Sequence, residues 1–158
     1  MPFPNATFDR IVTKNVLEYV PDVDASLRGL KRTLKPGGRI HIVDSDWGFV
    51  IVEPWGKATV DRFFAAAAPA FREPHIGRKL PAALARAGYR DIEVRLQPIV
   101  DRDGRLQLVL RNMQQYIRTF ATLPEEEVSG LLRDVEAAIK DGTYFACLPQ
   151  FLVTATSP

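Results

Sequence analysis

The stretch "VDSDW" places Asp44, Asp46 and Trp47 within four residues at the end of a short apolar run. Asp46 could deprotonate or orient a hydroxyl, Asp44 could contact the same group, and Trp47 could stack on a ring. The competing role for such aspartates is structural, because side-chain carboxylates at strand ends also cap helices and turns. His75 follows Pro74 and precedes "IGRK", so it is a loop residue and the better acid–base candidate of the two histidines. His41 alternates with Ile40 and Ile42 and reads as a packed strand residue. Arg78 could bind an acidic group or pair with a surface carboxylate. The histidines are too far apart for a helical ligand pair, and Cys147 is the one cysteine. Neither a disulfide nor a metal site is expected.

Candidate elements flank these residues on both sides. "FDRIVTK", Phe8 to Lys14, has the β-branched and aromatic content of a strand. Asp22 or Asp24 can N-cap a helix with Leu27, Leu30 and Leu34 on one face and Arg28, Lys31, Arg32 and Lys35 in solvent. Pro36, Gly37 and Gly38 then turn the chain into "RIHIVDSD", a nearly continuous apolar strand of the kind covered on both faces. Strand, helix, turn, strand is a βαβ unit with a right-handed crossover.

Downstream, a helix is expected from Lys57 to Phe71, ended or kinked by Pro69, and another in "IGRKLPAALARAGY", stopped by Gly88. "DIEVRLQPIV" alternates Ile92, Val94 and Leu96 with charged neighbours, as a half-exposed strand does. Leu106, Val109, Leu110, Met113, Tyr116, Ile117 and Phe120 form a helical stripe. Thr122, Pro124 and Glu125 resemble a capping box opening a helix to Lys140; Glu125 to Glu127 then complement its dipole. "YFACLPQFLVTATS" closes as a strand, with Pro149 marking a bulge or bend. Four strands and about five helices in 158 residues read as one incomplete domain, part of a doubly wound α/β fold.

A net charge of +2 and 25% charged residues imply neither nucleic acid nor an anionic membrane as partner. No apolar run reaches the roughly 18 residues of a spanning helix. A reducing, cytoplasmic setting is expected from the lone cysteine.

Three stretches resemble class I S-adenosylmethionine-dependent methyltransferases of the small-molecule branch related to quinone methyltransferases: "PFPNATFDRIVTKNVLEYVPD", "SLRGLKRTLKPGGRIHIVDSDW" and "HIGRKLPAALARAGYRDIEV". Together they cover about the first 95 residues; the rest fits in pattern only. The resemblance implies an α/β, partial Rossmann-like methyltransferase fold, with a mostly parallel sheet ending in an antiparallel pair. It also implies that the first three strands are lacking, since no GxGxxG occurs and the only paired glycines are Gly37 and Gly38. S-adenosylmethionine is the implied cofactor, lined by Lys14, Asn15, Val16 and Tyr19, with histidine common in the family where Tyr19 stands. Glu18 is a substitute base beside it. Asp46 and His75 become the catalytic candidates. Asp44, Trp47, Arg78, Met113 and Tyr116 become the acceptor-binding ones, and residues 105–140 a helical insertion able to cover the pocket. An apolar roof from Met113, Tyr116 and Phe120 suggests an aromatic or polyketide-like acceptor. Strand Phe8–Lys14 would leave an open edge, to be completed by a second copy or by the missing half. The alternative is a non-catalytic oligomerising or partner-binding module; a nicotinamide-dinucleotide domain lacks its glycine fingerprint.

Overall fold

The computed structural model describes residues 2–158. The chain divides into two compact units, residues 2–46, 72–97 and 150–158 in the first and 47–71 and 98–149 in the second. Strands pair in the order β1-β2-β5-β3, and β4 also pairs with β5.

The first unit begins with β1 (Phe8–Lys14), α1 (Val23–Thr33) and β2 (Leu34–Ser45). β1 lies parallel to β2, with Arg10 to Lys14 opposite Arg39 to Val43. The Lys-Pro-Gly-Gly segment turns the chain inside β2, and the β1–β2 register shifts there. Gly37 takes φ +76°, and a Cβ on Gly38 would meet the Lys35 carbonyl at 2.8 Å, so both glycines serve the backbone. Asp22 is the N-cap of α1, its carboxylate accepting from Ala25 N at 2.8 Å. α3 (Ile76–Arg86) and β4 (Arg90–Asp101) follow, the chain reversing at Gly88 with φ +80°. In β5 (Phe145–Thr156), Gln150 to Thr156 run antiparallel to β2.

Leu27 and Leu30 from α1, and Ile76, Leu80 and Leu84 from α3, cover Ile40, Ile42, Val153 and Ala155. The alternate residues His41, Val43, Leu152 and Thr154 are half-buried, with no helix of this unit on their face. Beside them Val12 of β1 is 71% exposed. His41 is therefore a partly covered strand residue, its Nε2 buried without a hydrogen-bond partner. The alternating burial expected of β4 does not appear: only Ile92 reaches the helix-covered core, and Val94 and Leu96 stay 44% and 54% exposed.

The second unit holds a short strand absent from the sequence reading, β3 (Ile51–Glu53), antiparallel to Phe145–Cys147 of β5. α2 (Gly56–Ala67) ends at Pro69 through a 3-10 turn, Ala68–Ala70. α4 (Gln107–Phe120) and α5 (Glu125–Lys140) supply the rest of its core, including Leu110, Met113, Ile117, Val128, Leu132 and Val135. The capping box does not form. Pro124 is the N-cap, and the Thr122 hydroxyl donates instead to the Ala66 carbonyl at 2.7 Å. Glu125 pairs with Arg118 and accepts from Ser129. The sheet pairing is mixed: β1–β2 is parallel, β2–β5 and β3–β5 antiparallel. Among the described residues no helix is long and apolar enough to cross a membrane.

Candidate functional site

Because β1 and β2 are parallel, both carboxyl ends open at one rim, where ligands of open α/β sheets bind. Lys14 sits opposite Val43 there, and Asn15, with φ +51°, swings the chain off the strand while donating its N–H to Val43 O at 2.9 Å. Lys14, Asn15, Val16 and Tyr19 are exposed on the resulting loop. The loop is held from below by Asp44. Its side chain, fully buried, accepts from the amides of Leu17 at 3.1 Å and Ser45 at 3.2 Å, and from Val16. Burial pushes this carboxyl up to about 6, against the pull of those amides. Asp44 is thus a loop anchor, and its expected contact with an acceptor gives way to that role.

The same loop recruits the histidine. The Glu18 carbonyl accepts from the amides of Arg72 and Glu73 at 2.9 and 3.1 Å, which brings the segment before α3 to the rim. A Glu73 carboxylate oxygen takes the His75 amide at 3.1 Å, and the other pairs with Lys79. His75 Nδ1 then lies 3.1 Å from Asp46 Oδ1, while Arg78 donates through Nε and Nη2 to both Asp46 oxygens at 2.5 and 2.7 Å. Asp46 is wholly buried, whereas the His75 side chain is 45% exposed. An ionised carboxylate only accepts, so Nδ1 carries the proton and Nε2 is the nitrogen that can accept one. The two catalytic candidates are thus joined directly, the buried Asp46 fixing the orientation of the half-exposed His75 ring. Arg78 serves a buried carboxylate instead of the surface one that sequence suggested, and Asp46 in turn pushes its guanidinium further up.

Trp47, Met113 and Tyr116 belong to the second unit. Trp47 stacks on Phe64 at 5.6 Å and leans on Phe71, whose other edge meets Tyr116. Met113 is a core residue. The apolar cavity lined by Trp47, Phe64, Leu110 and Tyr144 measures about 10 Å³, too small for any organic ligand. Of the residues expected to stack on or roof an acceptor, Trp47 and Met113 are thus buried in the core, Tyr116 is half-buried against Phe71, and Phe120 is 46% exposed. Sequence reasoning also missed a groove of about 390 Å³ in the first unit, between Val20–Asp24 and the face of α3 carrying Lys79 and Arg86. Ion pairs Asp24–Arg86 and Glu73–Lys79 already use much of its charge. No spacing signal in the sequence joins those residues. Among the described residues, no group of three or more His, Cys, Asp or Glu could hold a metal ion.

The family described as "Methyltransferase domain" matches residues 1–42. The ubiquinone/menaquinone biosynthesis C-methyltransferase UbiE of Escherichia coli is 43% identical over 58 residues, which cover 37% of this chain and 22% of that protein. The chain thus spans about a fifth of the curated relatives it matches. Among solved structures, a Bacillus halodurans protein assigned as a methyltransferase superposes with TM-score 0.58 at 15% identity, over 100% of this chain and 68% of that one. Phosphoethanolamine N-methyltransferase 2 of Haemonchus contortus, in complex with phosphomonomethylethanolamine and S-adenosylhomocysteine, superposes with TM-score 0.53 at 16% identity. There the overlap is 99% of this chain and 35% of that one. At these identities the structural likeness establishes the fold alone.

Proposed function

We propose that this chain, similar in its first residues and in its fold to class I S-adenosylmethionine-dependent methyltransferases, supplies the acceptor side of such an enzyme and acts on a small molecule. The observation that carries this reading is the buried Asp46 holding His75 at the carboxyl rim of β1 and β2. A half-exposed imidazole with its Nδ1 committed to a carboxylate can take a proton from an acceptor hydroxyl, amine or acidic carbon through Nε2. Such proton transfer contributes typically about 10²–10⁴-fold. Arg78 keeps Asp46 ionised, so the imidazole does not turn over. The aromatic class of the acceptor rests on the relatives' names alone, since Trp47, Met113 and Tyr116 are engaged in packing.

The residues present fit the cofactor on one side. Lys14, Asn15, Val16 and Tyr19 form an exposed strand-end loop that could line it, and no glycine-rich cradle occurs in the sequence. When bound, S-adenosylmethionine supplies an electrophilic methyl group on a sulfonium. Isothermal calorimetry of the chain with S-adenosylmethionine and S-adenosylhomocysteine tests the assignment. Micromolar binding, weakened by Asn15→Pro, is expected; no heat at millimolar ligand would favour a non-catalytic module instead. That second reading has its own support in β1, which among the described residues pairs with β2 alone and leaves Val12 open. Parallel strands are seldom left uncovered, so a second copy or a further methyltransferase segment is the proposed partner of this edge.

A further inference from the structure

We infer that β4 is a self-complementary dimerisation strand, pairing antiparallel with β4 of a second copy about a two-fold axis at Val94. β4 pairs with β5, and no other strand of the described residues pairs with it. Between Arg90 and Leu96 every residue but Ile92 is exposed. Val94 and Leu96, at 44% and 54%, are apolar side chains that the molecule itself does not use.

The sequence "IEVRL" has an internal symmetry that matters only when the strand meets itself. With Val94 opposite Val94, Glu93 falls directly opposite Arg95 of the second copy and Arg95 opposite its Glu93. Ile92 faces Leu96 and Leu96 faces Ile92. Directly opposed residues of an antiparallel pair share a face with Cβ atoms about 4.5–5.5 Å apart, where opposite charges attract and like charges repel. Within one chain the same two residues manage only a loose contact of 3.9 Å, with side chains 58% and 81% exposed. Moving the axis by one residue sets Glu93 against Glu93 or Arg95 against Arg95, so one register is selected. Edge charges ordinarily discourage pairing; here their order makes one symmetric arrangement favourable and its neighbours unfavourable. The occupant is accordingly a second copy of this chain.

Sedimentation equilibrium of the full chain at low ionic strength, with Arg95→Glu and with the exchange Glu93→Arg/Arg95→Glu, tests this. The wild-type chain is expected to dimerise. Arg95→Glu, which turns both cross-strand pairs into like-charge pairs, should raise the dimer dissociation constant at least about tenfold, and the exchange should restore it. Circular dichroism checks that each variant folds, and Arg105→Glu, the same charge reversal at an 86% exposed side chain before α4, should leave the constant unchanged. A monomeric wild-type chain, a dimer indifferent to Arg95→Glu, or a dimer weakened by it and not recovered by the exchange would each overturn the inference.

Discussion

Replacing Asp44 by Asn should make the protein less stable in acid and more stable at neutral pH, a change of sign with one cause. The Asp44 carboxyl is raised by burial from 3.8 to about 6 in the folded chain. Its folded form therefore holds a proton that the unfolded form has lost between those values, and stability declines as pH rises through that window. A gap of about two units is worth about 3 kcal/mol, present as a penalty above the folded value and absent below the unfolded one. Asparagine carries no charge and escapes the penalty. Its carboxamide oxygen can still accept from Leu17 N, but its NH₂ group would meet the Ser45 or Val16 amide, a loss of about 1 kcal/mol. The variant is expected to lie about 1 kcal/mol below wild type at pH 3 and about 2 kcal/mol above it at pH 7. Urea denaturation at both pH values, with unchanged m, measures this. A variant destabilised equally at both would refute the assignment of the buried charge.

Gly77 packs against the Phe151 ring, which an added Cβ would meet at 2.6 Å. Gly77→Ala should lower the melting temperature by overpacking costing about 1–3 kcal/mol, and Phe151→Leu in the same chain should recover part of it. Arg78→Ala should cost about 2 kcal/mol in chemical denaturation, less than a fully buried pair because its side chain is 46% exposed; Arg78→Lys should recover only part of the loss. His75→Gln should leave the denaturation midpoint within about 0.5 kcal/mol of wild type while abolishing base-assisted turnover in a reconstituted methyl-transfer assay. Cys147, buried and with its thiol pushed up, should react with a thiol reagent at the rate of global opening, seen as quenching that tracks denaturant.

The first unit was largely legible because its signals are local. Phe8–Lys14, the cap at Asp22, the glycine turn and Gly88 each act within a few residues of where they are written. Asp46 and His75 were also singled out from their neighbours. Their pairing was not legible, because it depends on Glu18 binding the Arg72 and Glu73 amides through a carbonyl, which any residue possesses. The anchoring bonds of Asp44 were hidden for a similar reason: a carboxylate bonded to backbone amides leaves no mark on the sequence of those amides. β3 is three residues long and too short for periodicity. The ring contacts of Trp47 and Tyr116 were not legible either, because aromatic side chains look alike in sequence whether they face a ligand or Phe64 and Phe71.

β5 divides its hydrogen bonds on either side of Pro149, Phe145–Cys147 going to β3 and Gln150–Thr156 to β2. One strand thus serves two antiparallel ladders, and loosening it would lay open Ile40 and Ile42 on one and Val52 on the other, apolar surface of the kind that aggregates or recruits chaperones.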